Sequence, residues 1–595
     1  MIKTKIDKLC EFLEEKERTL DECASFLKED KEKLEEISKI LESLKILEIK
    51  YRPFGPPVLK LLKKLPFVEE KIPRYDEKYS FNIHGIEATV YIYISEEKRP
   101  FYHLHVDRPG PYTDLFLGFI KNEIAKKISF EISYFSTPEK IQEYFPMVKE
   151  KIKEILSKYF EENLDQLSGL VFSDLYGMGP LEIFTGDQNL EEIVVNNSTL
   201  PLSVYHIKYG WMKTNVYIPS EEKIANISSQ IARRIGEQIS ISRPILDAYL
   251  TTGDRAAATL YPISTSGNTI TIRKFAREPW TATKFIQNHT VSLDMMAFLW
   301  QAIHYETNIA VTGGTASGKT SMLNVLSHLI PNYQRVITIE ETREIILPKH
   351  IWNWVPLLTR KGGPETQEIT MADLLTTSLR LRPDRVILGE IRTPAEAEVL
   401  FDAIHTGHSV STTMHADTAA QLIKRLLEPP FKISQTEIES LHLIIVQHRD
   451  RRRNIRRTFE ISEIIPGAAG TLATNRLFIW RPRTDSFEKV NNPRRYVEEI
   501  NLYTGMTEKE IFNDIEERKK ILEWMVRKKY FELEKVSEVA RYYYNMYDEL
   551  MEKVWNDKEL ETEGIREEEE IGRMERKEEE EKIEKKAKRK RKKEK

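Results

Sequence analysis

The stretch Gly313-Gly314-Thr315-Ala316-Ser317-Gly318-Lys319-Thr320 decides the fold of this 595-residue chain. It fits the phosphate-loop pattern GxxxxGK[ST], follows the strand-like residues 308–312 and precedes a helical pattern over 321–329. In such a loop the backbone N–H groups surround phosphate oxygens, the lysine contacts the β- and γ-phosphates, and the final hydroxyl ligates Mg²⁺. We therefore expect ATP and Mg²⁺ as ligands. The residues predicted to bind the nucleotide are Gly313, Gly314, Thr315, Ala316, Ser317, Gly318, Lys319, Thr320 and Ser321.

Three further apolar runs each end in a polar residue suited to phosphoryl transfer. Residues 336–339 precede Glu340, residues 385–389 precede Glu390, and residues 409–414 precede His415. Short β-branched runs alternating with helical patterns over 290–465 predict a mostly parallel sheet, in which ligands bind beyond the carboxyl ends of the strands. A carboxylate there can activate the attacking water, and another can hold the magnesium shell. Taken singly, each residue has an ordinary structural interpretation, but their shared placement favours function.

At these residues the sequence resembles the secretion ATPases that energise type II secretion, type IV pili, archaella and type IV secretion. The resemblance covers roughly residues 165–465, and 339–344, 381–392 and 406–416 look like the acidic box, Walker B segment and His box of that family. It implies that Glu340 is the catalytic base, Glu390 the Walker B carboxylate and His415 a sensor near the γ-phosphate. Thr320 and Glu390 would hold the metal. Glu341 stands where the family usually has aspartate.

Two arginines upstream are further catalytic candidates through the same resemblance. Residues 205–215 and 252–255 look like the archaeal branch of the family, in which arginines of the N-terminal half of the motor reach the nucleotide. Arg255 and Arg273 lie near the matching segments, and an arginine there would stabilise charge on the transferred phosphoryl group. The alternative for each is a surface ion pair. We place the hinge between the two motor halves at residues 275–280.

The length predicts several domains, at ~150 residues per domain. The expected class is α/β: a RecA-like phosphate-loop ATPase domain, a preceding α+β domain, an N-terminal winged-helix-like helical unit and a charged helical tail. The expected ranges are 1–52 for the winged-helix-like unit, 53–160 for an N-terminal α+β region, 161–285 for the N-terminal half of the motor, 286–505 for the ATPase domain and 506–595 for the charged extension, whose end we expect to be disordered.

Composition and charge bear on partners and location. No apolar run approaches the length of a membrane span, and the N-terminus lacks the features of a signal peptide, so we expect a cytoplasmic chain. The resemblance implies a homohexamer peripheral at the inner face of the cell membrane. It also implies a polytopic platform protein as partner, and pilin-like or secreted proteins as indirect substrates.

Nucleic acid is not the expected partner. The presumptive recognition region of the winged-helix-like unit, residues 28–36, is rich in Glu and Asp, which repel phosphates. The arginine cluster at 449–457 lacks interleaved aromatic residues, so we interpret it as a hairpin surface and subunit contact.

The sequence therefore predicts an ATP hydrolase that powers assembly of a pilus-like filament or type II-like protein secretion. One alternative is a nucleic-acid translocase with the same ATPase chemistry. Another is a DNA-binding regulator with a nucleotide-sensing module, which the complete set of Lys319, Glu340, Glu390 and His415 argues against.

Overall fold

The computed structural model describes residues 1–67, 72–128, 138–235, 237–250, 253–274, 279–360, 367–467 and 471–560. The chain divides into two compact units, Met1–Arg277 and Glu278–Lys595. The predicted hinge at 275–280 falls at this division, and residues 275–278 lie outside the described residues, as does the end of the charged tail from 561.

The first unit begins with a small winged-helix-like arrangement, as predicted. Its elements are α1 (Lys5–Glu15), β1 (Arg18–Thr19), α2 (Leu20–Leu27), α3 (Lys31–Ser43), β2 (Leu47–Lys50) and β3 (Val58–Leu61). Capping boxes at Thr4 and Thr19 start α1 and α2, and Asp30 caps α3. The three strands form an antiparallel sheet in the order β1-β3-β2. The Pro-rich segment 53–57 connects two paired strands within this sheet, although the sequence analysis placed a domain boundary there.

A nine-stranded sheet forms the rest of the first unit. Its strands are β4 (Glu77–Ile83), β5 (Ile86–Ile94), β6 (Pro100–Val106), β7 (Leu190–Val195), β8 (Ser203–His206), β9 (Gly210–Thr214), β10 (Ile245–Tyr249), β11 (Arg255–Thr259) and β12 (Thr269–Arg273). The helices are α4 (Pro111–Lys127), α5 (Pro138–Leu156), α6 (Leu164–Leu175), α7 (Pro180–Gly186) and α8 (Glu221–Arg234). The order is β10-β11-β12-β7-β8-β9-β6-β5-β4, and only the β6/β9 pair is parallel. The sheet therefore joins strands from the two ranges, 53–160 and 161–285, that the sequence analysis treated as separate.

The second unit is built on a second nine-stranded sheet. Its strands are β13 (Ile309–Gly313), β14 (Val336–Glu340), β15 (Trp354–Leu358), β16 (Arg385–Leu388), β17 (Ser409–Met414), β18 (Leu443–Asp450), β19 (Ile455–Pro466), β20 (Leu472–Arg481) and β21 (Ser486–Lys489). The order is β15-β14-β16-β17-β13-β18-β19-β20-β21. Strands β15 to β18 in this order pair in parallel, and the last three add antiparallel strands. The predicted α/β phosphate-loop domain is confirmed.

The helices of the second unit cover this sheet and close a common core. They are α9 (Ala282–Gln287), α10 (Leu293–His304), α11 (Lys319–Ser327), α12 (Met371–Ser378), α13 (Pro394–His405), α14 (Ala419–Leu427), α15 (Gln435–Glu439), α16 (Arg495–Thr504), α17 (Glu508–Arg527), α18 (Leu533–Asn545) and α19 (Tyr547–Trp555). Within the described residues, none of the helices is both long enough and apolar enough to cross a bilayer.

The C-terminal helices α17 to α19 belong to the core of the ATPase unit. Trp524 of α17 is fully buried in the same apolar cluster as Trp300 of α10. The buried Arg518 guanidinium lies 3.0 Å from the Asp514 carboxylate and donates to Nδ1 of His304. The sequence analysis separated 506–595 from the ATPase domain because the segment is highly charged. In the structure, its helices up to Trp555 bury their apolar faces against α9 and α10.

Candidate active site

The phosphate loop has the tight conformation that its glycines permit. Gly313 ends β13 with a φ of 151°, and a Cβ there would lie 2.2 Å from the Gln447 carbonyl oxygen. Gly318 has a φ of 94° and precedes α11, whose first turn has no side-chain cap. The uncapped N–H groups and the positive end of the helix therefore remain available to an anion. The loop fits a nucleotide phosphate at the predicted residues.

The carboxyl ends of the neighbouring parallel strands bring the predicted polar residues to the same edge of the sheet. The Lys319 ammonium lies 3.3 Å from Nδ1 of His415. The other ring nitrogen of His415, Nε2, is 2.8 Å from Oε1 of Glu390, although the two groups are not aligned for a hydrogen bond. Glu340 ends β14, and a Cβ on Gly389 would lie 3.5 Å from its Cα and Cγ. The structure thus gathers Lys319, Glu340, Glu390 and His415 at adjacent strand ends.

Glu340 has the environment of a proton acceptor. The residue is 2% exposed. Its Oε1 accepts hydrogen bonds from the backbone N–H groups of Glu344 and Ile345, at 2.9 and 3.0 Å. Its Oε2 is buried and has no hydrogen-bond partner among the described residues. Burial raises the pKa of this carboxyl to about 8.

Glu390 and Glu341 share one arginine. The Arg392 guanidinium donates to Oε2 of Glu390 at 2.9 and 3.1 Å and to Oε2 of Glu341 at 2.5 Å. Glu341 is exposed, and this ion pair is its contact at the site. The residue that departs from the family pattern therefore holds Arg392, which in turn holds Glu390.

Buried polar atoms without partners show that the site fits a triphosphate with a magnesium ion. Oγ of Ser317, Oε2 of Glu340 and Oε1 of Glu390 are all buried without a hydrogen bond among the described residues. Such orphans are rare in folded proteins and mark places where a ligand completes the structure. Thr320 lies in the first turn of α11, and hydroxyl and carboxylate oxygens are the ligands that Mg²⁺ prefers.

A cleft of about 420 Å³ lies beside the phosphate loop. Its lining residues come from the loop, from the end of β17 and from α14: Gly313, Gly314, Thr315, His415, Ala416, Asp417, Gln421 and Arg425. The hydroxyl of Thr312, the last residue before the loop glycines, donates to the Ala416 carbonyl at 2.8 Å. The phosphate loop and the His415 segment are therefore directly joined.

The two arginine candidates lie in the first unit, at directly opposed positions of β11 and β12. Arg255 makes a two-pronged contact with Asp247, with both N–O distances at 2.9 Å, and Arg273 is exposed. Two cations placed opposite each other on neighbouring strands repel, which is the arrangement expected of groups that share an anion. Their catalytic role stays a prediction.

Sequence reasoning missed Arg456 as a residue of the phosphate loop. The arginine cluster does lie on a hairpin, formed by β18 and β19, as predicted. However, Nε of Arg456 donates to the Ala316 carbonyl at the tip of the loop, at 3.1 Å. Six arginines fall within residues 449–457, and nothing in their spacing distinguishes this one. The signal lies in the strand order, because β18 is the neighbour of β13.

Comparisons with known protein sequences agree on one family. A family model described as "Type II/IV secretion system protein" matches residues 229–538, which are 310 of the 595 residues. An uncharacterised protein of Methanocaldococcus jannaschii is 33% identical over 396 residues, which cover 65% of this chain and 71% of that protein. The type IV secretion system protein VirB11 of Bartonella quintana is 27% identical over 346 residues, covering 51% of this chain and 96% of VirB11.

Solved structures give weaker similarity over the whole chain. The Legionella pneumophila ATPase DotB is 19% identical with a TM-score of 0.36, covering 62% of this chain and 95% of DotB. The pilus retraction motor PilT with bound ADP is 18% identical with a TM-score of 0.34, covering 57% of this chain and 96% of PilT. These TM-scores are low, so the description of the fold rests on the strand order given above.

Proposed function

Because the chain belongs to the type II/IV secretion system protein family, whose members are ATPases, we propose that it hydrolyses ATP at the edge of its parallel sheet to power secretion or pilus assembly. The observation that carries this proposal is the placement of Lys319, Glu340, Glu390 and His415 around one phosphate loop. A lone phosphate loop would support only nucleotide binding.

The residues of the loop bind and orient the triphosphate. The N–H groups of the loop and of the first turn of α11 surround the phosphates, and Lys319 contacts the β- and γ-phosphates. Thr320 and Glu390 would hold Mg²⁺, which when bound neutralises charge on the phosphate oxygens. Glu390 is itself held by Arg392 and lies beside His415, so its position is fixed before the nucleotide enters.

Glu340 takes the proton of the attacking water. Its Oε1 is anchored by two backbone N–H groups, which leaves Oε2 to accept that proton. A base is most effective when its pKa lies near the working pH, and burial places the pKa of Glu340 at about 8. The water oxygen then attacks the γ-phosphorus, and the bond to the β-phosphate oxygen breaks to release ADP and phosphate.

His415 and the two arginines complete the charge environment. His415 lies between Lys319 and Glu390, where its ring would contact the γ-phosphate and respond to its loss. Arg255 and Arg273 would approach the nucleotide from the first unit when the two motor halves close around residues 275–280. An arginine in that role commonly accelerates phosphoryl transfer by about 10³- to 10⁵-fold.

Assembly and location follow from the family. The chain would act as a homohexamer at the cytoplasmic face of the membrane, beneath a polytopic platform protein. Its closing and opening would move that partner and so add pilin-like subunits to a filament, of the pilus or archaellum type, or drive protein secretion. Nucleic acid has no part in this cycle.

The test is ATP hydrolysis and nucleotide binding by the purified full-length chain and two variants. Lys319→Ala should lose both binding and hydrolysis, whereas Glu340→Gln should bind ATP normally and release phosphate at least a hundredfold more slowly. Lys349→Ala and Glu398→Gln change exposed residues of the same unit and serve as controls. Added double-stranded DNA should not change the rate. Equal loss of binding in the two site variants, or strong stimulation by DNA, would contradict the proposal.

A further inference from the structure

The segment that carries His415 is held at two successive carbonyl groups. The carbonyl of Ala416 accepts from the Thr312 hydroxyl at 2.8 Å. The carbonyl of His415 itself accepts from the Arg425 guanidinium. Between β17 and the start of α14 the chain is therefore tied on one side to the phosphate-loop strand and on the other side to a helix.

Arg425 reaches this carbonyl from the second turn of α14. The helix is capped by the Thr418 side chain and buries Leu422, Ile423 and Leu426 in the core, so the backbone that carries Arg425 is fixed. The guanidinium carbon lies 5.5 Å from the centre of the Phe431 ring, a distance that allows a cation–π interaction. Packing on Phe431 restricts the rotamers of the arginine and keeps it directed at the His415 carbonyl.

The remaining N–H groups of Arg425 face the cleft. Arg425 lines the cleft together with the first residues of the phosphate loop and His415. Guanidinium carries five N–H groups, and the His415 carbonyl is the one hydrogen-bond acceptor that the structure gives it among the described residues. The side chain is partly buried, so its charge is only partly screened by water.

We propose that Arg425 is a positioning residue of the ATPase site, which holds His415 between Lys319 and Glu390. The carbonyl oxygen is separated from the Cα of His415 by one bonded atom, so releasing it frees the imidazole to move away from both neighbours. A displacement of about 1 Å in a catalytic group can slow a reaction by about a hundredfold. Thr312 acts on the adjacent carbonyl, but it cannot replace Arg425 because it is fixed to the other strand.

This inference rests on the proposed ATPase function, and its test is a double-mutant cycle with His415 in the full-length chain. Arg425→Gln should lower kcat by about ten- to a hundredfold while KM and ADP affinity change less than about threefold. Arg425→Lys should restore part of the lost rate, because lysine can still donate to the carbonyl. Lys424→Gln is the matched control, since Lys424 is exposed and contacts only Glu428, at 3.7 Å, among the described residues.

The decisive comparison is Arg425→Gln in a His415→Ala background. Because Arg425 acts through His415, the double variant should be no slower than His415→Ala alone. Multiplicative effects, or a rate for Arg425→Gln equal to that of Lys424→Gln, would overturn the positioning role. ADP affinity reports whether the site of each variant is folded, and loss of ADP binding in both Arg425→Gln and Arg425→Lys would assign the residue to folding instead. Absence of hydrolysis by the unmodified chain would instead refute the proposed function.

Discussion

The two nine-stranded sheets treat their buried carboxylates in opposite ways. In the first unit, Asp187 is 1% exposed and its Oδ2 accepts from the hydroxyls of Tyr79 and Tyr102, both at 2.7 Å. In the second unit, Glu340 is equally buried, but one of its oxygens has no partner among the described residues. Satisfied polar groups contribute to stability, whereas an unsatisfied one costs stability and is retained where a substrate needs it. The first arrangement supports the fold and the second supports chemistry.

The largest effect is expected at a glycine of the second sheet. Gly313→Ala would place Cβ 2.2 Å from the Gln447 carbonyl oxygen and 2.6 Å from Oγ of Ser317, at a φ of 151°, so the loop must shift. We expect nucleotide binding to be abolished, as measured by calorimetric titration with ADP. The control is Gly118→Ala in α4 of the first unit, where a Cβ meets nothing within 4 Å. That variant should be neutral or more stable by about 1 kcal/mol. Normal ADP binding by Gly313→Ala would contradict the loop geometry.

Glu340 should make the stability of the second unit depend on pH. Its folded-state pKa of about 8 lies above the model value of 4.5, so between these values the folded chain binds more protons than the unfolded chain. Stability contributed by this group therefore falls as pH rises through that window. Glu340→Gln should gain about 4 kcal/mol relative to the unmodified protein between pH 5 and pH 9. Urea unfolding followed by tryptophan fluorescence measures this, because seven of the eight tryptophans lie in the second unit. A constant difference across this range would contradict the assignment.

Asp187 should affect stability without affecting nucleotide binding. Asp187→Ala leaves two tyrosine hydroxyls without their acceptor, one of them on the fully buried Tyr102, and should cost the first unit about 2–5 kcal/mol. Asp187→Asn keeps an acceptor and should cost less. Hydrogen exchange of β4 to β6 measures the loss, and ADP affinity should stay unchanged. A large change in ADP affinity would mean that the contrast between the two sheets is false.

The smallest effect is expected from removing the charged tail. Leu560 is 6% exposed, and its N–H donates to the Tyr530 hydroxyl at 2.9 Å, so residues up to 560 belong to the core. Deleting 561–595 should leave the ATPase rate within about twofold, whereas deletion from residue 556 should also lower stability. Phosphate release and thermal midpoints distinguish the two deletions. Equal behaviour would show that Leu560 contributes nothing.

The nucleotide site could be predicted from the sequence because its residues are fixed by local geometry. A phosphate loop needs glycines at set positions, and polar residues after buried parallel strands must share an edge, which located Glu340, Glu390 and His415. The contacts of Arg456 and Arg425 were not predictable in this way. Both depend on how β18, β19 and α14 lie beside the loop, and an arginine in a basic cluster or on a helix face looks the same in sequence wherever its side chain ends.

The fold was predictable in its classes of elements and less so in its boundaries. Capping residues located the early helices, and β-branched runs located the parallel strands. The pairing of β6 with β9 joins residues more than 100 positions apart, which no local pattern encodes. Charge misled the reading of α17 to α19, since long charged side chains on one helix face obscure an apolar stripe on the other.

The burial of α17 to α19 against α10 determines where the chain can be divided for study. A fragment that ends at residue 538, the limit of the family match, would cut α18 (Leu533–Asn545) and remove α19 entirely. It would uncover Trp300, whose ring N–H donates to the Tyr544 hydroxyl, and expose a broad apolar surface to solvent. Such a fragment should aggregate on expression, whereas a fragment that retains residues through 560 keeps that surface covered.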